Sequence, residues 1–345
     1  MKTLKYGRFS VCPKIIPVSI YYHIFWKFQY SRQKKSLKYG KLVIKIKFSI
    51  FAGTSKWIQS LFIITLKIIE KVYNDVVPES VSKRKNKNKA KMSDAEIITI
   101  YLLIQCLAKS INKGYNYLKK NFPNLVNYIE RSRFNRLVNS LMTVIRTIRR
   151  NFMKSQHSLY KIVDSFPLIT SKFGRAFFSK LFKGLATYGY CASKKEKYFG
   201  FKVHAVTDLN GNPYDYILTS ANVDDREAVF ELADLLEINT LFGDKGYVGN
   251  FIEELRQEKG VKLYALNRSN CKNPLPKEFR NQISRLRRRI ETTFSQLNEH
   301  FDIERVRSKS MLGLQASLEI KFLCFNIITY LNGGSTHISD ILSFN

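Results

Sequence analysis

Thr240-Leu241-Phe242-Gly243-Asp244-Lys245-Gly246-Tyr247 is the stretch whose reading decides the fold. A four-residue run closed by glycine predicts a short strand from Thr240 to Gly243 that delivers Asp244 at its carboxyl end. The arrangement recurs upstream, where Tyr160 to Val163 predicts a second short strand ending at Asp164. Between them, Tyr198 to Thr207 alternates in the strand manner, Asn210-Gly211 supplies a turn, and Tyr214 to Thr219 is the natural hairpin partner. Downstream, the pattern predicts a helix from Arg226 to Leu236 with Asp224 or Asp225 near its N-cap, and a second helix from Phe251 to Lys259. A strand from Lys262 to Leu266 follows, and a closing helix from about Asn281 to Phe301 carries Glu291.

The resulting order, β-β-β-α-β-α-β-α, predicts an α/β fold. It is that of an RNase H-like domain, a mixed five-stranded sheet flanked by helices in which three antiparallel strands precede parallel crossovers. Open sheets of this kind place their sites at the carboxyl edge of the strands, where Asp164 and Asp244 are expected side by side. Glu291 lies beside the apolar stripe Ile290, Phe294 and Leu297, so it is expected to lean over the same edge. Three hard oxygen donors there suit a pair of Mg²⁺ (or Mn²⁺) ions acting on a phosphodiester. For Asp208, Asp215, Asp224 and Asp225 the expected role is a cap or a surface charge.

Upstream of this domain the chain is helical in pattern. Ser93-Asp94-Ala95-Glu96 has capping-box spacing before the apolar run Ile97 to Leu107. Helices are also expected over Lys113 to Lys120 and Ser132 to Phe152, the latter capped by Ser132 and carrying Arg133, Arg136, Arg146, Arg149 and Arg150. Short helices ending in an arginine-studded member suit a helix-turn-helix, and equally suit a helical bundle with a solvated basic face. An all-α, DNA-binding region, residues 59–152 with its start set by the resemblance given below, is expected ahead of a catalytic domain over residues 153–335. Residues 1–58 read as a basic extension of unsettled order.

Charge points to the partner. The 345 residues hold 58 Lys and Arg against 27 Asp and Glu, a formal net charge of +31. From Met1 to Met92 there are 21 cations and three acids, net +18. Such a field draws polyanions, with nucleic acid first; a ribosomal-type protein, an anionic-membrane binder or lysine-rich codon bias would share the signature. The run Lys83 to Lys91 reads as a solvated linker. Five cysteines, Cys12, Cys106, Cys191, Cys271 and Cys324, are scattered without paired spacing, which argues against a zinc site or a disulfide framework. No uncharged apolar run of spanning length and no ordered leader is evident, so the expectation is a cytoplasmic, nucleoid-associated protein without a membrane partner.

Four motifs in order carry a resemblance: Asp164-Ser165-Phe166-Pro167, Gly200-Phe201-Lys202-Val203-His204, Gly243-Asp244-Lys245-Gly246-Tyr247, and Arg288-Arg289-Ile290-Glu291-Thr292-Thr293-Phe294-Ser295-Gln296. Together they resemble the catalytic domain of bacterial insertion-sequence transposases, in particular the insertion-sequence-982 branch of the Asp-Asp-Glu superfamily. The likeness runs from about Gln59 to Asn332. It implies Asp164, Asp244 and Glu291 as metal ligands for two Mg²⁺ or Mn²⁺ ions, and double-stranded DNA, both element ends and target, as partner. It also implies an active complex of two or more subunits. Arg287, one helical turn before Glu291, matches an arginine that holds DNA near the scissile phosphate. Lys202, His204, Lys245 and Arg288, with Arg133 and Arg136 upstream, are the further candidate DNA contacts. Tyr247 is a candidate for phosphate contact or packing. Two positions depart from related families: Ser284 stands where a Tyr is common and Asn298 where a Lys is common.

Overall fold

The computed structural model describes residues 55–82, 89–126, 129–154, 158–192, 194–266 and 274–332. The basic extension up to residue 54 and residues 83–88 of the linker lie outside the described residues. The described residues belong to one compact unit.

Seven helices come first among the described residues: α1 (Ser55–Val76), α2 (Glu79–Ser82), α3 (Asp94–Leu107), α4 (Ile111–Asn121), α5 (Pro123–Val126), α6 (Arg131–Ser140) and α7 (Met142–Lys154). The capping box forms at α3: the Glu96 amide donates to Ser93 Oγ at 3.1 Å, and the Ser93 amide donates to Glu96 Oε2 at 2.6 Å. The single helix expected over Ser132 to Phe152 is instead two, α6 and α7, meeting at Leu141, and the N-cap is Glu130 rather than Ser132. Buried Phe134, Val138, Leu141 and Ile145 hold that break in the core, a tertiary demand that local periodicity does not display.

The arginines of α7 correct a second expectation. Arg149 is fully buried and donates from Nε to Glu319 at 2.6 Å, from Nη2 to Asp215 at 2.5 Å and from Nη1 to the Tyr214 carbonyl at 2.6 Å. Arg146 reaches Glu319 at 2.6 Å, Arg150 reaches Asp215 at 2.8 Å, and Tyr216 donates its hydroxyl to Glu319 at 3.0 Å. These arginines therefore fasten helix to sheet. Arg133 and Arg136 on α6 are exposed, and Arg150, although it holds Asp215, also keeps 42% of its side chain in solvent.

Among the described residues the sheet is mixed and has six strands, not five. They are β1 (Tyr160–Lys172), β2 (Thr187–Cys191), β3 (Glu196–Thr207), β4 (Pro213–Ser220), β5 (Thr240–Gly243) and β6 (Lys262–Ala265). Their order is β2-β3-β1-β5-β6, and β4 also pairs with β3. One edge of β3 pairs with β1; along the other edge, residues 196–200 pair with β2 and residues 201–207 with β4. β1 is antiparallel to β3 and parallel to β5, and β5 is parallel to β6.

β1 runs well past Asp164, where the sequence reading ended it. Pro167 lies inside the strand although proline cannot donate to a ladder. It is accommodated because β5 pairs only with residues 160–162, leaving β1 with one strand partner beyond that point. A bulge between Ile169 and Ser171 lies opposite Gly200, whose missing Cβ makes room for the Leu168 carbonyl.

Helices cover both faces. α8 (Asp225–Leu235) and α9 (Phe251–Lys259) pack on one, closing a core that includes Val163, Val206, Ile217, Val229, Leu241, Leu255 and Leu263. Asp224 caps α8 by accepting from the Arg226 amide. The Asp164 face meets α10 (Lys277–Phe301), where Phe294 lies edge-to-face with Phe166 at 4.8 Å. The Asn210-Gly211 turn docks on α10: Gly211 has φ +92°, and its carbonyl accepts from Thr293 at 2.6 Å.

α11 (Met311–Leu331) had no counterpart in the sequence reading. It is long and apolar enough to cross a bilayer by length and composition, and 78% of its most apolar window is buried inside the protein, against α3, α6, α7 and α10. A helix apolar all round carries no period to read. Of the cysteines described, Cys106 and Cys324 are thiols 3.5 Å apart, and none of Cys106, Cys191 and Cys324 is in a disulfide; Cys12 and Cys271 lie outside the described residues.

Candidate active site

Parallel pairing sets the two aspartates level. Tyr160 is opposite Thr240 and Ile162 opposite Phe242, an offset of 80 residues that, carried two further, puts Asp164 opposite Asp244. Asp164 lies two residues beyond the end of that pairing, within β1, and Asp244 follows β5 directly. α10 contacts both strands and presents Glu291 half exposed beside them. Buried Ile290 and Leu297 anchor the helix on either side of Glu291.

One guanidinium binds all three acids. Arg287 Nη1 is 3.0 Å from Asp244 Oδ1, Nη2 is 3.0 Å from Glu291 Oε1, and Nη2 is 3.9 Å from Asp164 Oδ2. The helical spacing of Arg287 and Glu291 foretells the second contact. Its reach to two separate strands depends on how α10 crosses the sheet, which no local signal reports. The Ser165 amide, also not foreseen, donates to Asp164 Oδ1 at 2.8 Å.

The electrostatics are lopsided. Burial, with the nearby carboxylates of Asp244 and Glu291, pushes Asp164 up to about 7, against the opposing pull of the Ser165 amide and Arg287. Three carboxylates with one cation leave a deficit of positive charge, and an all-oxygen donor set suits a hard divalent cation. Among the described residues no group of three or more His, Cys, Asp or Glu already stands at metal-ligand spacing. The acids are gathered around the guanidinium instead.

Register separates the other candidates from this cluster. Ala205 lies opposite Asp164, whereas His204 lies opposite Ser165 and Lys202 opposite Pro167, so Lys202 and His204 point to the other face of the sheet. There Lys202 donates to the Val223 carbonyl at 2.9 Å and to Asp225 at 3.1 Å. His204 is fully buried, with Nε2 2.9 Å from Thr219 Oγ1 and Nδ1 3.3 Å from Asp225. Burial, aided by Lys202 and opposed by Asp225, lowers its pKa to about 4. Tyr247 is buried with its ring against Gly243, a contact that a Cβ at Gly243 would obstruct, so it packs. Lys245 and Arg288 are exposed next to Asp244 and Arg287.

The segment holding these acids has known counterparts. Residues 161–327 match the family model described as the transposase DDE domain. That match covers a little under half of the chain, includes Asp164, Asp244 and Glu291, and supports a transposase of the DDE family with a DNA-processing activity. No curated protein matches the chain, and no solved structure does. The matched segment contains β1 from its second residue, β2 to β6 and α8 to α10, and it ends within α11.

Proposed function

We propose that this chain is an insertion-sequence transposase of the 982-like branch. In this reading it binds the element's terminal inverted repeats and carries out Mg²⁺-dependent (or Mn²⁺-dependent) cleavage and strand transfer. The observation that carries the proposal is the convergence of Asp164, Asp244 and Glu291 on the single guanidinium of Arg287. The strand order, with three long antiparallel strands ahead of two parallel ones, supports an RNase H-like catalytic domain spanning residues 153–335.

Asp164, Asp244 and Glu291 would hold the cations, with Arg287 swung from the acids toward the DNA phosphate. Bound there, divalent cations supply Lewis-acid activation of the attacking oxygen and stabilisation of the leaving one. Asp164 must release its proton before it can ligate, which its position near neutrality allows. Lys245 and Arg288, exposed beside the acids, bind the flanking phosphates as charge-assisted donors. Arg133 and Arg136 on α6 give the helical region, residues 59–152, its share of the DNA surface. Two element ends must be held together, so the working complex contains two or more subunits.

The test uses DNA carrying the inverted repeats that flank the gene. Asp244→Asn and Glu291→Gln are expected to lower single-turnover cleavage by roughly 10³-fold or more while repeat binding persists. Retained cleavage in either variant ends the assignment. A pre-cut end supplied with target DNA should be joined to it; cleavage without joining would leave a nuclease.

A further inference from the structure

The Asp164 face of the sheet emerges again beyond α10. β3 alternates without interruption, so Phe199 shares a face with Phe201, Val203 and Ala205, and Ala205 is opposite Asp164. Phe201 is covered by Phe182 at 5.3 Å, but the next row is open. There Tyr188 of β2 pairs with Phe199, and Tyr190 pairs with Lys197. Phe173, directly after β1, meets Tyr188 at 5.2 Å, Tyr188 meets Phe199 at 5.1 Å, and Lys197 Nζ stands 5.7 Å from the centre of the Phe173 ring. Tyr188 is 47% exposed, Tyr190 58% and Phe173 48%. Four aromatic rings thus line one open sheet face, without the burial that would explain them as core.

Charge identifies the occupant. From Ser165 to Lys197 there are seven Lys and Arg against one acid, Glu196; Lys194 is paired with Glu304, and Lys197 stands within the face itself. A second copy of so cationic a surface would be repelled. A base stacks on an aromatic ring whatever its identity, and lysines around the ring hold the strand's phosphates. The bases of a duplex are stacked inside it and cannot lie flat on a sheet, so the fitting form is an unpaired strand.

We infer that Phe173, Tyr188, Tyr190 and Phe199, with Lys197, form a stacking platform for unpaired DNA at the end of the sheet remote from Asp164. Along β1, Lys172 lies eight residues beyond Asp164, about 26 Å at ~3.3 Å per residue. An unpaired strand leaving the cleavage point could reach the platform within several nucleotides. This rests on the transposase reading for the source of the strand, although the binding itself is measurable without cleavage.

The test is fluorescence anisotropy of the full chain with three labelled probes of roughly 20 nucleotides: oligodeoxythymidine, an abasic strand of equal length, and a duplex. Wild type should bind the thymidine strand more tightly than the abasic one. Y188A/Y190A should weaken the thymidine strand by about tenfold or more and leave the abasic strand and duplex within about twofold. Y188F/Y190F should restore the loss. Unchanged thymidine binding in Y188A/Y190A overturns the platform, as does an equal loss for all three probes. Binding to phosphatidylserine vesicles that Y188A/Y190A abolishes, with thymidine binding intact, would make the face a membrane contact and likewise overturn it. Should the alanine variant fail to fold by circular dichroism, photocrosslinking of a 5-iodouracil strand to wild type decides: adducts on peptides containing Phe173, Tyr188, Tyr190 or Phe199 support the platform, and adducts elsewhere exclude it. A chain that stacks thymidine but cleaves normally as Asp244→Asn keeps the platform and loses the transposase reading; the converse result loses the platform alone.

Discussion

Two arginines in this molecule each gather carboxylates from distant parts of the chain, and they do opposite work. Arg149 is fully buried with Glu319 and Asp215, and Arg146 and Arg150 join it, so three cations meet two acids and each carboxylate oxygen has a cationic nitrogen within 2.8 Å. Arg287 faces three acids alone, and two of them, Asp244 and Glu291, are 42% and 50% exposed. The first cluster is closed and saturated; the second is open and short of positive charge. A saturated cluster fastens a fold, whereas a deficient one at a strand edge has capacity left for a cation and a substrate. The inventory of residue types is nearly the same in both, so burial and stoichiometry, rather than identity, assign the roles.

The sharpest way to break this contrast is to remove each arginine. Arg149→Ala leaves Glu319 and Asp215 buried without their central partner, and it should cost about 3–5 kcal/mol in urea unfolding. A loss below ~1 kcal/mol would mean that the cluster does not fasten helix to sheet. A third group, Lys202, His204 and Asp225, lies between the two extremes and reports through pH. Folded His204 takes up its proton only near pH 4, while the unfolded side chain does so near its ordinary value of ~6.5. Between those values the unfolded chain binds more protons, so stability falls as pH drops from about 6.5 toward 4. The contribution has a slope of at most ~1.4 kcal/mol per pH unit. His204→Gln should flatten that part of the pH–stability curve; an unchanged slope would show that His204 is not held neutral. The smallest effect is expected at the open cluster. Arg287→Ala should change stability by less than ~1 kcal/mol because its two nearest partners, Asp244 and Glu291, are about half solvated. It should also enlarge the rise in Tm on adding Mg²⁺, since the guanidinium no longer competes for the acids. An equal Mg²⁺ shift in variant and wild type would contradict that competition.

The same contrast explains what was legible beforehand. β5, the turn at Asn210-Gly211 and the capping box at Ser93 are local, and short-range pattern carries them. Asp164 and Asp244 could be paired because each follows a short apolar run and parallel strands bring such runs into line. Arg149 was out of reach, since a basic helix looks solvated until Asp215 and Glu319 arrive from 66 and 170 residues away. The sidedness of Lys202 and His204 depends on cross-strand register, where one residue decides the face. α11 lacks a period because it is buried nearly all round, and β2 lacks one because its exposed side carries Tyr188 and Tyr190.

The central claim is that Asp164, Asp244 and Glu291 jointly take up divalent cations, and calorimetric titration of Mn²⁺ into the full chain tests it most directly. The account predicts saturable binding to wild type that weakens roughly 10- to 100-fold or more in each of Asp164→Asn, Asp244→Asn and Glu291→Gln. Mn²⁺ binding that all three variants retain at wild-type strength would contradict it.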